Sequence, residues 1–282
     1  MHSRSVFQPK ANTVQDTFGR TKAIIGVIHC RPLPGSPAYD GDAVDAIVAH
    51  ALEEAGRYER GGVHGLIVEN HGDIPFSKPE DLGPETAAMM AVILDRVRQA
   101  VRIPVGVNIL ANGAIQALAV ARAGGGSFVR VNQWANAYVA NEGIIEGPAA
   151  AATRYRSWLR ANGVKIFADV HVKHGSHAIV ADRSIPELTR DAEFFDADVV
   201  IATGQRTGDA ADLSEVRTIA DATNLPVLIG SGVTTANAGD LLSIANGLIV
   251  ASSLKEEGVW WTPVSERKVT EFMAVIRDHL AA

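Results

Sequence analysis

The chain has 282 residues, of which 47% are hydrophobic and 21% are charged. This composition is too apolar for a disordered chain, and the length allows one or two domains. Lys and Arg number 26 against 32 Asp and Glu, so the formal net charge of −6 argues against a general binder of nucleic acids or anionic membranes.

The cysteine content and the lack of targeting patterns indicate in which cellular compartment the protein is expected. The single cysteine excludes an internal disulfide and a zinc site built from several thiolates, which fits a reducing environment. We find no secretory signal pattern, and no apolar run approaches the roughly 18 residues of a membrane span. We therefore expect a cytoplasmic protein without a transmembrane segment.

Short apolar runs alternate with longer helical patterns along the chain. The predicted strands are Ala23–His29, Gly65–Glu69, Val105–Asn108, Phe128–Val131, Lys165–His171, Val199–Ala202, Val227–Gly230 and Leu248–Ala251. The predicted helices cover 43–60, 84–102, 112–123, 148–161, 185–194, 212–222, 235–245 and 264–280. Near-continuous apolar strands separated by helices are typical of a parallel sheet covered by helices. Eight such units predict a closed (β/α)8 barrel, a TIM barrel. The competing doubly wound sheet lacks its GxGxxG signal.

The loops indicate where such a barrel would carry a site. We assign residues 22–282 to one barrel domain. Residues 1–21 form a short N-terminal extension, which suits a tail, a lid or an arm that binds a partner. Connections from helix to strand are short, whereas the strand-to-helix connections 30–42, 70–83, 132–147, 172–184 and 203–211 are long. Barrel enzymes elaborate the carboxyl ends of their strands, so we expect the site at that end.

Side-chain alternation along the strands predicts a polar cluster at this end. In the fifth strand Asp169, His171 and Lys173 share one row, and only a row facing the barrel mouth avoids burying unpaired charge. The same alternation directs five further polar residues toward the barrel axis: His29, Glu69, Asn108, Arg130 and Asn132.

These residue types suit acid–base chemistry. The predicted catalytic residues are His29, Glu69, Asp169, His171 and Lys173. A histidine beside a carboxylate transfers protons near neutral pH, and Lys173 would neutralise an oxyanion or form a Schiff base. Two alternatives stay open. In the first, the cluster is a structural hydrogen-bond network. In the second, His29, Glu69, Asp169 and His171 bind a divalent metal ion, which is the one cofactor that the sequence suggests.

Two small-residue turns follow the last two strands and predict a phosphate site. Barrels often hold phosphate between these two loops, because small residues let backbone N–H groups approach an anion. The predicted phosphate-binding residues are Gly230, Ser231, Gly232, Ser252 and Ser253. Lys255, just beyond, is expected to be a solvated residue of the rim.

Other polar residues at the strand ends are predicted to bind the rest of a substrate. They are Asn70, Asn108, Arg130, Asn132, Thr203 and Gly204. The segment Glu69–Phe76 combines polar groups with an apolar tip, as a loop that closes over a site would. The segment Thr203–Gly208 suits contact with a phosphate or a carboxylate.

Several of these segments together resemble the BtpA family, which includes SgcQ-like proteins. The resemblance runs from about residue 22 through IGVIH (25–29), PLPGSP (32–37), ENHGDIPF (69–76), FVRVN (128–132), FADVHVKH (167–174), TGQRTG (203–208), GSGVT (230–234) and IVASSLK (249–255). In the segment 69–76 the family form of the loop reads Asn-Phe-Gly-Asp, and this chain has His71 in place of the aromatic residue. The resemblance implies a barrel like those that bind ribulose phosphate. One branch of the family is linked to photosystem I accumulation, and SgcQ-like members resemble parts of operons for sugar utilisation, so the resemblance implies one of these two roles.

Two functions follow as hypotheses. The first is an enzyme, an isomerase, a lyase or an aldolase-like catalyst, that acts on a small phosphorylated sugar or related metabolite. The second is a non-catalytic assembly factor, peripheral to a membrane or a protein complex. A homo-oligomer is plausible for such a barrel, and we expect neither a nucleic-acid partner nor a membrane span.

Overall fold

The computed structural model describes residue 10 and residues 12–204 and 212–280. Its strands are β1 (Ala23–His29), β2 (Gly65–Glu69), β3 (Val105–Asn108), β4 (Phe128–Val131), β5 (Ala137–Ala140), β6 (Gly143–Glu146), β7 (Lys165–Val170), β8 (Gly175–Ser176), β9 (Val199–Ala202), β10 (Val227–Ile229) and β11 (Gly247–Val250). Its α-helices are α1 (Thr13–Phe18), α2 (Val44–Gly61), α3 (Pro84–Ala100), α4 (Ala114–Gly124), α5 (Ala149–Trp158), α6 (Ile185–Phe194), α7 (Leu213–Ala222), α8 (Ala238–Leu242), α9 (Glu266–Val275) and α10 (Arg277–Leu280).

Eight parallel strands close into a barrel in the order β1-β11-β10-β9-β7-β4-β3-β2. The predicted (β/α)8 barrel is confirmed, and helices alternate with its strands along the chain. The strands are buried on both faces, because side chains pointing inward fill the barrel while those pointing outward pack on the helices. No helix within the described ranges is long and apolar enough to cross a membrane.

Aromatic residues fill the amino-terminal end of the barrel. The rings of Phe128 and Phe167 stack with their centroids 4.4 Å apart. Phe18 of α1 packs edge-on against both rings, at 5.7 Å and 6.3 Å. The helix is capped by Asn12, whose side chain accepts the N–H groups of Val14 and Gln15. This end of the barrel is therefore closed by apolar packing, which leaves the opposite end for polar residues.

The N-terminal extension falls partly inside the described structure. Residues 1–9 and 11 lie outside the described residues. The Nζ of Lys10 donates to the backbone oxygen of Ala197 at 2.8 Å, just before β9. Helix α1 belongs to the segment that the sequence patterning left without a regular element. The division of the chain at residue 22 stays a proposal.

The structure differs from the predicted elements in two places that shape the site. The loop 132–147 contains β5 and β6, which form a small antiparallel sheet with β8 in the order β6-β5-β8. Four-residue and two-residue strands carry too little alternation to stand out in a polar loop. Strand β7 ends at Val170, one residue earlier than predicted, and His171 has a left-handed φ of 54°.

Candidate functional site

Four neighbouring strands place polar side chains at one level of the barrel mouth. The register pairs His29 with Glu69, Glu69 with Asn108, and Asn108 with Arg130. All four residues are buried, with exposed fractions between 1% and 7%. They lie at the carboxyl ends of their strands, where alternation predicts polar residues facing the axis.

The two histidines at this level share one carboxylate. Glu69 Oε1 lies 3.0 Å from Nδ1 of His71 and 3.8 Å from Nε2 of His29. The imidazole rings of His29 and His71 stack with centroids 4.5 Å apart. The other carboxylate oxygen, Oε2, accepts the amide of Asn108 at 2.8 Å. One oxygen of Glu69 therefore serves the histidines, and the other is held in place by β3.

Burial and these contacts set the charges of the cluster. Burial, and to a lesser extent the neighbouring His71, lower the pKa of His29 to about 3, so the imidazole is neutral at physiological pH. Burial by itself would raise the pKa of Glu69. The hydrogen bond from His71 and the electrostatic attraction of His71 and Arg130 outweigh burial and hold that pKa well below its ordinary value. Glu69 is therefore an ionised carboxylate.

Arg130 is held by a second buried carboxylate. Its Nε and Nη2 donate to the two oxygens of Asp169 at 3.0 Å and 2.8 Å, a bidentate pair. Asn132 also donates to Asp169, at 3.3 Å. Burial alone would lower the pKa of Arg130, but the charge of Asp169 and its hydrogen bonds raise it, so the guanidinium stays charged. The side chain of Asp169 has no exposed surface, so its contact is with Arg130 rather than with a ligand.

The two small-residue turns border one cavity of about 230 Å³ at the mouth. Its lining includes all five residues predicted to bind phosphate, together with His29, Glu69, His71, Arg130 and Lys173. At Gly230 a Cβ atom would lie 2.6 Å from Ile201, which is too close, and 3.2 Å from Nη2 of Arg130, so a larger residue would clash with Ile201 and crowd the guanidinium. Gly232 has a left-handed φ of 64°, which favours glycine.

A second cavity of about 360 Å³ adjoins the first. The two share Glu69, His71, Arg130 and Lys173 in their walls. The rest of its wall is amide-rich and aromatic and includes Asn108, Asn132, Tyr138, Phe76 and Trp260. Asn108 Oδ1 and Asn132 Oδ1 are buried without a hydrogen-bond partner in the described part of the chain. The first cavity is therefore bordered by the two small-residue turns, and the second is lined by asparagines whose side-chain oxygens lack a partner in the described residues.

The remaining predicted substrate residues brace the loops. Asn70 accepts the N–H of Leu110 at 2.7 Å and donates to Asp73 at 2.9 Å. Gly204 donates its N–H to Ser231 Oγ at 2.6 Å, and Thr203 is buried beside it. These contacts fix the shape of the turns. Residues 205–208 of the segment Thr203–Gly208 lie outside the described residues.

His171 does not face the barrel mouth. After β7 its left-handed backbone turns the imidazole toward α7, where Nδ1 lies 3.1 Å from Glu215 Oε1. Its ring lies 4.3 Å from that of His177. The prediction that Asp169, His171 and Lys173 form one row is therefore wrong at His171, because alternation ends where the extended backbone ends.

Two of the four predicted metal ligands are not available at the mouth. Asp169 forms an ion pair with Arg130, and His171 contacts Glu215 of α7, a helix outside the barrel. Across the described ranges, one group of three His, Cys, Asp or Glu residues has ligand atoms within 4.8 Å of one another: His29, Glu69 and His71. In the sequence, His71 stands out only as a departure from the Asn-Phe-Gly-Asp form of its loop. Its position two residues after Glu69 was the available signal.

Trp260 was also missed as a residue of the site. Its backbone oxygen accepts the N–H of His29 Nδ1 at 3.0 Å, and its ring lies 4.6 Å from that of His71. It comes 231 residues after His29, so no local pattern connects the two.

Comparisons with known proteins agree with this architecture. A sequence model of the BtpA family matches residues 20–278. An uncharacterized protein from Archaeoglobus fulgidus is 41% identical, and the alignment covers 84% of this chain and 93% of that protein. The Photosystem I biogenesis protein BtpA of Synechocystis is 37% identical, over 94% of this chain and 91% of that protein. Among solved structures, thiamine phosphate pyrophosphorylase from Pyrococcus furiosus superposes with a TM-score of 0.56 at 18% identity, covering 92% of this chain and 97% of that one. At this identity the likeness shows a common fold.

Proposed function

The chain belongs to the BtpA family, and from that premise and the geometry of the barrel mouth we propose that it is an enzyme acting on a small phosphorylated sugar or a related metabolite. One observation carries the proposal. The turns Gly230–Gly232 and Ser252–Ser253 border the same cavity as His29, Glu69, His71, Arg130 and Lys173. A phosphate held by the turns would bring the rest of a small molecule against the ionisable cluster.

The phosphate end relies on backbone N–H groups and fixed positive charge. Ser253 Oγ donates to the backbone oxygen of Val233 at 2.7 Å, so its hydroxyl supports the turn and its amide is the better phosphate donor. Arg130 uses Nε and Nη2 to bind Asp169, and Nη1 takes no part in that pair. Arg130 and Lys173 line the cavity and would supply the countercharge of a phosphate.

The second cavity suits the remainder of a sugar. Asn108 and Asn132 line this cavity, and the Oδ1 atom of each is a buried acceptor without a partner in the described part of the chain, which is rare in folded proteins. Hydroxyl groups of a sugar would donate to these oxygens. Tyr138, Phe76 and Trp260 supply flat apolar faces for the carbon skeleton.

The chemistry that we propose is proton transfer next to a carbonyl, the step that isomerases, lyases and aldolase-like enzymes share. Glu69 is ionised and hydrogen-bonded to His71, so this pair would accept a proton from carbon and return it to the product. Lys173 borders both cavities, where its charge would stabilise the oxyanion that forms.

One comparison and one surface feature support the second hypothesis, that the protein is a non-catalytic assembly factor. A relative carries the name Photosystem I biogenesis protein BtpA. Trp158 and Trp261 are 76% and 67% exposed, more than large aromatic side chains usually are on a protein without partners. If this hypothesis holds, replacing Trp261 would impair function in the cell, whereas changes at the barrel mouth would not.

The test of the enzyme hypothesis measures binding of phosphorylated ligands. We expect inorganic phosphate and a panel of pentose and hexose phosphates to include ligands that raise the melting temperature and bind in calorimetry, whereas the unphosphorylated sugars bind more weakly. Ser252→Asp puts a carboxylate in the cavity wall and should weaken phosphate binding by roughly tenfold or more through charge repulsion.

Ser157→Asp is the matched control, since Ser157 is exposed on α5, away from the cavity lining. It should leave binding unchanged. Equal affinity of wild type and Ser252→Asp for every phosphorylated ligand would contradict the phosphate site.

A further inference from the structure

Three donor atoms meet at the barrel mouth with a spacing close to that of a metal site. The ligand atoms of His29, Glu69 and His71 all lie within 4.8 Å of one another, and Glu69 Oε1 is 3.0 Å and 3.8 Å from the nearest nitrogens of the two histidines. Donors bound tetrahedrally to zinc at about 2.0–2.1 Å are roughly 3.3 Å apart. Small side-chain movements would therefore bring these three atoms to that geometry.

The contact between His29 and Glu69 is not a hydrogen bond. The Nδ1 of His29 is 3.0 Å from the backbone oxygen of Trp260, which only accepts, so Nδ1 donates to Trp260 and Nε2 is directed toward Glu69. Nε2 lies 3.8 Å from Glu69 Oε1, beyond hydrogen-bond distance but within the spacing of two ligands on one ion.

Outer contacts hold the donors as they do in metal centres. Metal-binding histidines usually donate their second ring nitrogen to a carbonyl or a carboxylate, as His29 does to Trp260. Asn108 binds Glu69 Oε2 at 2.8 Å and leaves Oε1 toward the histidines. His29 and Glu69 are also rigid parts of neighbouring strands, paired in register.

We propose that His29, Glu69 and His71 bind one divalent transition-metal ion, with Zn²⁺ as the ion that this set of two imidazoles and one carboxylate suits. Three protein ligands leave a coordination position open, as in catalytic zinc sites. All three ligands line the cavity that holds the two small-residue turns, so the open position faces a bound substrate. The ion would polarise an oxygen of that substrate. With the ion bound, Glu69 and His71 act as its ligands, so the proton transfer proposed above for this pair applies to the metal-free protein.

This inference deepens the proposed function and rests on it only for the role of the ion. Metal binding is measured directly, so the two proposals fail separately. Zinc binding without any phosphorylated ligand would contradict the proposed substrate alone, whereas binding of phosphorylated ligands without zinc would contradict the metal site alone.

The experiment titrates the full chain, stripped with a chelator, with Zn²⁺ in a calorimeter and with Co²⁺ in a visible spectrometer. We expect one ion per chain, and Co²⁺ should give the intense absorption of a four-coordinate site. His71→Gln should weaken Zn²⁺ binding by roughly 100-fold or more, and Asn108→Ala, which removes an outer contact, by about 10- to 100-fold.

His279→Gln is the control, because His279 is exposed on α10, and it should bind zinc as the wild type does. A melting curve of each stripped variant checks that it folds. His71 lies at the mouth with 16% of its side chain exposed, so its replacement disturbs packing less than that of His29. Absence of stoichiometric binding by the wild type, or unchanged affinity in folded His71→Gln, would overturn the proposal.

Discussion

The side chain of Lys255, which follows the last barrel strand, lies inside the protein. The expectation of a solvated rim residue is therefore wrong. Lys255 is 1% exposed and forms an ion pair with Glu54 of α2, which also accepts the N–H of Val264 at 2.8 Å. A buried charge needs a partner, and the partner comes from a helix 201 residues earlier. The motif that contains Lys255 therefore ties the last barrel loop to α2.

Replacing one member of this pair should cost more stability than replacing both. Lys255→Met leaves Glu54 buried and uncompensated, so we expect the free energy of unfolding to fall by roughly 3–5 kcal/mol. In Glu54→Gln with Lys255→Met the amide still accepts from Val264 and no charge remains, so the loss should be smaller. Urea denaturation followed by circular dichroism measures both, and equal losses would contradict this account.

At the scale of elements, α1 closes the amino-terminal end of the barrel. Phe18 reaches between the strands to the stacked rings of Phe128 and Phe167, and Val14 lies in the same cluster. The sequence shows this helix poorly because six residues hold fewer than two turns of pattern. A short helix of this kind depends on tertiary packing for its stability.

Truncating Phe18 tests whether α1 belongs to the folded barrel. Phe18 is 8% exposed, and Phe18→Ala opens a cavity beside two aromatic rings, so we expect a loss of about 3 kcal/mol in the free energy of unfolding. Phe194→Ala is the control, since Phe194 is 57% exposed on α6 and should cost far less. Comparable urea midpoints for the two variants would show that α1 contributes little.

At the scale of the whole molecule, histidines that the fold keeps neutral make its stability depend on pH. His64 precedes β2, and its Nδ1 accepts the N–H of Ile24 in β1 at 3.0 Å. Burial, with a smaller contribution from the nearby Arg20, lowers its pKa from 6.5 to about 4. The unfolded chain thus takes up a proton before the folded chain does. The contribution of His64 is complete above pH 6.5 and is lost as the pH falls toward about 4.

His64→Asn should flatten this dependence, because the amide oxygen keeps the bond to Ile24 without titrating. We expect the drop in the free energy of unfolding between pH 7 and pH 5 to be smaller in the variant than in the wild type. Urea titrations at both values measure it. A drop in His64→Asn as large as in the wild type would contradict the assignment to His64.

The barrel was predictable because its signals are local. Each strand is a short apolar run between two helical patterns, and alternation within a strand follows from backbone geometry, so His29, Glu69, Asn108 and Arg130 were directed to the axis correctly. The same rule failed at His171, where the chain leaves the extended conformation.

The sequence by itself therefore determined the closed parallel barrel and the polar faces of its strands, since both depend on periods of a few residues. Only the tertiary structure decided which polar groups meet. His71 comes from a loop and joins His29, Asp169 is used up by Arg130, and Trp260 arrives from near the end of the chain. Such contacts depend on loop paths and on neighbouring strands, and no local pattern of residues encodes them.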